Sequence, residues 1–137
     1  MKNKKILVVD DEEMIVDTFQ AFLELEGYEV FTANCVVNAK KVLSDIEADL
    51  VLTDLKMPGE NGIDFLNYLN KNFSNMPVVM ITGNPDVKAT YLAYEKGILD
   101  FLIKPVSRKD LIEIVTKVFA ELENSDIDID KLLEDLK

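Results

Sequence analysis

The chain has 137 residues, 48% of them apolar and 30% charged, which is one globular domain's worth on a prior of roughly 100–200 residues per domain. It contains no histidine, so Ser-His-Asp and Cys-His catalysis, histidine metal sites and a self-phosphorylated histidine are excluded. The single cysteine, Cys35, cannot form an internal disulfide, and a net charge of −11 opposes a non-specific grip on a nucleic-acid backbone.

Taken in order, short apolar runs alternate with longer amphipathic ones. Residues 1–5 precede only four apolar residues, Ile6–Val9, which is too short for a signal peptide and reads as a strand. The acidic run Asp10-Asp11-Glu12-Glu13 follows, then a helix with Ile15, Thr18, Phe19, Phe22 and Leu23 on one face, closed by Gly27. Tyr28–Ala33 reads as a strand. Residues 35–46 read as a helix through Val36, Ala39, Val42, Leu43 and Ile46, and Leu50–Thr53 as a strand ending at Asp54.

Met57-Pro58-Gly59 is turn chemistry, followed by a helix through Ile63, Leu66, Leu69 and Phe73 and a strand at Val78–Ile81. Asn84 and Pro85 are expected to be the N-cap and first residue of a helix through Val87, Tyr91 and Tyr94 that stops near Gly97. Ile98–Ile103 is the fifth strand, and Leu111, Ile114, Val115, Val118, Phe119 and Leu122 mark the fifth helix. No apolar run approaches the roughly 18–20 residues of a membrane span, so the protein is expected in the cytoplasm.

Strands that are apolar throughout are buried on both faces, the mark of a parallel sheet. Five of them alternating with five helices predict an α/β, doubly wound, three-layer (βα)5 sandwich of flavodoxin-like type, strand order 2-1-3-4-5. In such a sheet ligands bind outside the carboxyl ends of the strands. The residues there are Asp10 and Asp11, Asp54, Thr82 with Gly83, and Lys104 with Pro105. Three carboxylates in one crevice repel unless neutralised, and a hard cation such as Mg²⁺ takes oxygen ligands of this kind. A hydroxyl and an ammonium beside them suit the oxygens of a phosphoryl group. Each residue alone has an ordinary use: Asp10 and Asp11 as helix caps, Asp54 in a turn, Thr82 in a strand, Lys104 as a surface charge. Their placement at four successive strand ends is what points to phosphoryl chemistry.

The segments Ile6–Glu12, Leu50–Gly59, Val79–Gly83 and Phe101–Pro105 carry a resemblance to the receiver domain of bacterial two-component response regulators, covering about residues 3–122. The resemblance implies a signalling switch rather than an enzyme acting on a separate substrate, one that catalyses only its own phosphorylation and dephosphorylation. Asp54 would accept a phosphoryl group from the phosphohistidine of a sensor histidine kinase or phosphotransfer protein. Mg²⁺ would be held by Asp11, Asp54 and the main-chain carbonyl of Lys56, with Asp10 acting mainly through water or neighbouring ligands. Thr82 and Lys104 would bind phosphoryl oxygens, Phe101 would move inward when Thr82 is drawn to the phosphate, and the Lys104–Pro105 bond would be cis.

Lys56 and Asn84, each two residues past a site residue, would border the phosphoryl group. Phe101 has no hydroxyl with which to hold an outward state. The added charge, about −1.5 to −2, would bias the face made by the fourth helix, fifth strand and fifth helix, where an output domain, a downstream protein or a second copy in a homodimer would dock.

Three other readings fit less well. A Mg²⁺ phosphatase of the haloacid-dehalogenase type expects an aspartate two residues after its nucleophile, whereas Asp54 is followed by Leu55-Lys56 and Asp10 by Asp11-Glu12. An unphosphorylated interaction module needs none of Asp10, Asp11, Asp54, Thr82 and Lys104. A flavin carrier needs a Ser/Thr/Gly-rich phosphate loop. Beyond the receiver, residues 123–137 form an acidic tail in which Ile129, Leu132, Leu133 and Leu136 have helical i, i+3, i+4, i+7 spacing, with Asp128 as N-cap and Asp130 in the first turn. The tail is expected to be either a solvated linker or a short amphipathic helix docked on the receiver or a second protomer.

Overall fold

The computed structural model describes residues 3–57, 59–125 and 133–136. Five strands form one sheet: β1 (Lys5–Val9), β2 (Glu29–Ala33), β3 (Leu50–Thr53), β4 (Val78–Thr82) and β5 (Asp100–Ile103). They lie in the order β2-β1-β3-β4-β5 and every pairing is parallel. The five helices are α1 (Glu13–Leu25), α2 (Val36–Asp45), α3 (Gly62–Asn72), α4 (Val87–Glu95) and α5 (Arg108–Ser125). The expected α/β architecture and strand order are those observed.

Successive residues of a strand point to opposite faces, and the core divides accordingly. Leu7, Val9, Val51, Val78 and Met80 face α2, α3 and α4, where they meet Leu43, Phe65, Leu66, Leu69 and Ala93. Ile6, Val8, Leu50, Leu52, Val79 and Ile81 face the opposite way, onto Val16, Phe19 and Leu23 of α1 and Leu111, Val115 and Val118 of α5. Both faces of β1, β3 and β4 are covered, which is why these strands are apolar except for Lys5, Thr53 and Thr82 at their ends.

Several local details differ from expectation. Helix α4 begins at Val87, not Pro85. Asp86 is its N-cap, because the Asp86 carboxylate accepts hydrogen bonds from the N–H groups of both Lys88 and Ala89, at 3.0 and 3.2 Å. The turn around Gly59 is flanked by a two-residue antiparallel ladder, Lys56–Met57 against Glu60–Asn61, that the turn chemistry alone did not reveal. Helix α5 runs through Ser125. Of the tail positions, Ile129, Leu132, Asp128 and Asp130 lie outside the described residues, while Leu133 and Leu136 are exposed.

Helix α1 shows how the 3.6-residue period sorts side chains. Leu23 is fully buried, whereas Leu25, two positions on, is 71% exposed. Leu23→Ala is expected to cost about 2–5 kcal/mol of stability in urea unfolding. Leu25→Ala should stay within about 0.5 kcal/mol of wild type.

Candidate functional site

The site is assembled by main-chain hydrogen bonds that continue the sheet one residue past its strands. The N–H of Asp10 donates to the carbonyl of Ala33 (3.1 Å), that of Asp54 to Val9 (3.1 Å) and that of Lys104 to Thr82 (2.8 Å). Asp10, Asp54 and Lys104 are thereby held along the carboxyl edge of the sheet, Asp10 and Asp54 on adjacent strands and Lys104 two strands beyond Asp54. Each acid is also fixed by the residue two positions on: Asp10 Oδ1 accepts from the Glu12 N–H (2.9 Å) and Asp54 Oδ1 from the Lys56 N–H (3.1 Å). Thr82 Oγ1 accepts from the Asn84 N–H in the same way, at 3.2 Å. These are the local side-chain-to-backbone bonds that Asp and Thr favour in turns.

The remaining carboxylate oxygens converge on one ammonium. Lys104 Nζ lies 2.7 Å from Asp10 Oδ2, 2.8 Å from Asp54 Oδ2 and 3.2 Å from Glu12 Oε1. Asp10, Asp54 and Thr82 are buried, and Glu12 reaches in from an exposed position. Oxygens of Asp10, Glu12 and Asp54 all lie within 4.8 Å of one another. Burial pushes the Asp10 carboxyl above its ordinary pKa and the nearby Asp54 charge adds to this, while the hydrogen bonds from Lys104 and the Glu12 N–H pull it back. Burial alone would depress the Lys104 ammonium. Its hydrogen bonds to Asp10 and Asp54 and their charges outweigh that and hold it above the ordinary lysine value.

Of the residues singled out from sequence, Asp10, Asp54 and Lys104 are in direct contact, and Thr82 adjoins Lys104 through the main chain. Asp11 stands outside the carboxylate cluster. It is exposed and lines a shallow depression with Asn34, Asn38 and Lys41. Glu12 takes the third place and was missed; the signal for it was its position in the acidic run after the first strand. Phe101 is half-buried against the α2–α4 layer, and the Lys104–Pro105 peptide is cis. Towards the outer edge of the sheet, Asp100 lies 3.8 Å from Lys117 of α5 and is hydrogen-bonded by the Tyr94 hydroxyl of α4. Burial and the Asp100 carboxylate hold that hydroxyl above its usual pKa.

Gly62 is a second residue that sequence reasoning passed over. A Cβ there would fall 2.5 Å from the Leu55 carbonyl oxygen, 2.8 Å from Leu55 Cα and 2.9 Å from the Asp54 carbonyl oxygen, all main-chain atoms. Its N–H donates to that same Leu55 carbonyl at 2.9 Å. Only glycine lets the start of α3 press against the segment that carries Asp54. Gly62→Ala is expected to cost about 1–3 kcal/mol in chemical unfolding and to shift the amide resonances of Asp54 and Leu55.

Removing the ammonium exposes the repulsion it suppresses. Lys104→Met should destabilise the fold by at most the ~3 kcal/mol that marks the low end for breaking a buried ion pair, because the Glu12 side of the site is open to water. The sign of its pH dependence follows from Asp10. A carboxyl whose folded pKa lies above its unfolded value contributes most at low pH, and loses that contribution as pH rises through the folded pKa. Without Lys104 this pKa climbs further, so the variant's deficit relative to wild type should grow from acid to neutral pH. Thermal melts across that range check it.

Comparison with known proteins agrees with this geometry. The family model for the response regulator receiver domain matches residues 6–116. The alkaline phosphatase synthesis transcriptional regulatory protein PhoP of Bacillus subtilis is 37% identical over 125 residues, covering 91% of this chain and 51% of PhoP. The DNA-binding response regulator MtrA of Mycobacterium tuberculosis strain H37Rv is 34% identical over 123 residues, covering 90% of this chain and 52% of MtrA. The chain thus spans about half the length of these curated relatives. A solved CheY-like response regulator receiver domain protein from Methanospirillum hungatei JF-1 superposes with a TM-score of 0.87 at 30% identity, covering 90% of this chain and 99% of that one. The chain belongs to the response regulator receiver domain family.

Proposed function

We propose that the protein is a phosphorylation switch in which Asp54 is the acceptor. The observation that carries this reading is the seating of Asp54: a buried carboxylate at the end of the central strand, 2.8 Å from Lys104 Nζ and clustered with Asp10 and Glu12. The donor is a phosphohistidine on a sensor histidine kinase or phosphotransfer protein, a reading supported by membership of the response regulator receiver domain family. A carboxylate oxygen of Asp54 attacks phosphorus. The new P–O bond forms as the P–N bond breaks, and the imidazole nitrogen leaves with the electron pair. Water later attacks the same phosphorus, restoring the carboxylate and releasing inorganic phosphate. The chain catalyses only these two steps on itself.

Phosphoryl transfer depends chiefly on positioning and charge neutralisation, and the residues here are arranged for both. Lys104 leaves Asp54 to pair with a phosphoryl oxygen, and the Thr82 hydroxyl donates to another. Three carboxylates against one ammonium leave two negative charges when all are ionised, and an oxygen-only donor set suits a hard divalent cation. We assign Asp10, Asp11, Asp54 and the Lys56 main-chain carbonyl to hold Mg²⁺; Asp11, exposed and outside the cluster of Asp10, Glu12 and Asp54 in this structure, would turn in beside Asp10 to complete the set. Bound there, Mg²⁺ supplies charge neutralisation for the transferring group.

Residues 1–122 act as the receiver, with 123–137 as an appended tail. The output surface is the face of α4, β5 and α5, to which Phe101 and Thr82 connect the site. It engages an output domain, a downstream protein or a second copy, and does not itself grip nucleic acid. No described helix is long and apolar enough to cross a membrane, and the proposed setting is the cytoplasm.

Incubation with a small phosphodonor should add one phosphoryl mass in the presence of Mg²⁺, and Asp54→Asn should abolish it; intact-mass spectrometry decides, and a gain retained in the variant rejects the assignment. Mg²⁺ at a hundredfold excess over its Kd should raise stability by about 2.7 kcal/mol. Asp11→Ala should remove most of that shift in a thermal melt, and Glu12→Ala should remove little. Thr82→Ala should still accept the phosphoryl group, but the resonances of Phe101 should no longer shift as they do in wild type.

A further inference from the structure

Glu12 takes no part in the transfer to Asp54, yet it shares the cation on which the site is built. An ammonium offers three N–H donors. Three carboxylate oxygens meet that of Lys104: Asp10 Oδ2 at 2.7 Å, Asp54 Oδ2 at 2.8 Å and Glu12 Oε1 at 3.2 Å. No donor is left over for a further oxygen, so an incoming phosphoryl group must take the place of a partner already there.

The three partners are not equally free to leave. Asp10 is buried, and its other oxygen accepts from the Glu12 N–H at 2.9 Å. Releasing it from Lys104 would strand a charge inside the protein. Asp54 is buried too, but it carries the phosphoryl group and so exchanges its own bond for one made by that group. Glu12 makes the longest of the three contacts, and its side chain is 60% exposed, so its carboxylate returns to water when released.

The position of Glu12 gives its side chain a second place to go. Glu12 is the N-cap of α1, its carbonyl accepting from the N–H groups of Ile15 and Val16 at 3.0 and 3.1 Å. A polar side chain at this position ordinarily accepts from an N–H of the first turn. That of Glu12 does not, and bonds instead to Lys104, 92 residues further along the chain. Released, the carboxylate lies beside the helix N-terminus, where negative charge is favoured. The main chain need not move, since the bonds that hold it do not use the side chain.

Phosphorylation supplies the push. A phosphoryl group adds about −1.5 to −2 of charge and three acceptor oxygens. It does so where oxygens of Asp10, Glu12 and Asp54 already lie within 4.8 Å of one another. We propose that Glu12 is a displaceable partner of Lys104 that favours the unphosphorylated site: its carboxylate occupies the ammonium while Asp54 is bare, and yields that N–H when a phosphoryl group is present. Glu12 thus acts through Lys104, as a positioning residue that sets how tightly the phosphoryl group is held. The inference rests on the reading of Asp54 as the acceptor.

The test uses beryllofluoride, an anion that coordinates a carboxylate oxygen and stands in for the phosphoryl group, with Mg²⁺ saturating throughout. Amide resonances of Asp54, Thr82 and Lys104 in the full chain report its dissociation constant. Glu12→Gln keeps the side chain's length and an oxygen acceptor but removes the charge. It should bind beryllofluoride about two- to fivefold more tightly, the factor that loss of one partly exposed ion pair brings. Glu13→Gln removes an exposed charge one residue on, which does not contact Lys104, and should change the affinity by less. Unchanged or weaker binding by Glu12→Gln would mean that Glu12 only supports the fold, and would overturn the proposal. Equal tightening in both variants would mark a general effect of net charge and overturn it too. No binding by wild type, or binding retained in Asp54→Asn, would overturn the acceptor reading and this inference with it.

Discussion

The structure turns on one ammonium group. Lys104 Nζ contacts carboxylates from two different parts of the chain, Asp10 after β1 and Asp54 after β3, while its own main chain extends β5. Two buried carboxylates this close would otherwise repel each other and push their strand ends apart. The bond network converts that repulsion into a cross-link over the top of the sheet. It also means that anything able to draw Lys104 away from Asp54 must bring comparable negative charge, and a phosphoryl group on Asp54 does so at the same place.

Much of the fold could be read from sequence because its signals are local. Leu50–Thr53 was placed as a strand with the observed limits, since a run buried on both faces has nothing polar to blur it. The ends of elements were harder. At α4, Asn84-Pro85 has the composition of a helix start, yet Asp86 wins because its carboxylate satisfies two N–H groups at once. In the site, Asp10, Asp54 and Lys104 were legible as polar residues terminating apolar strands. Glu12 was not, because its reach to Lys104 depends on the turn made by the Asp10 side chain with the Glu12 N–H. Gly62 was equally silent: what makes it necessary is main chain from residues 54 and 55, and sequence spacing carries no trace of that approach.

Stability and function meet at these same residues. The buried side-chain polar atoms of the described residues all have hydrogen-bond partners, so the site is not a region of loose polar groups inside an apolar core. Its negative charge is nevertheless only partly offset by Lys104, which leaves it receptive to a further cation. The outer strand β5 links this chemistry to the periphery. Lys104 follows directly from it, Phe101 lies within it, and Asp100 at its start contacts both α4 and α5 through Tyr94 and Lys117.

The division of the core by the sheet has a mechanical meaning. Adjacent residues of β5 belong to different compartments, Phe101 to that of α2, α3 and α4, and Leu102 to that of α1 and α5. The sheet is a septum between two separately packed volumes. Space opened on one side cannot be filled by side chains from the other, so packing defects in the two compartments add rather than compensate. A shift of β5 that repositions Phe101 is thus felt as a volume change by one compartment, while the other serves as a rigid chassis against which that change becomes motion.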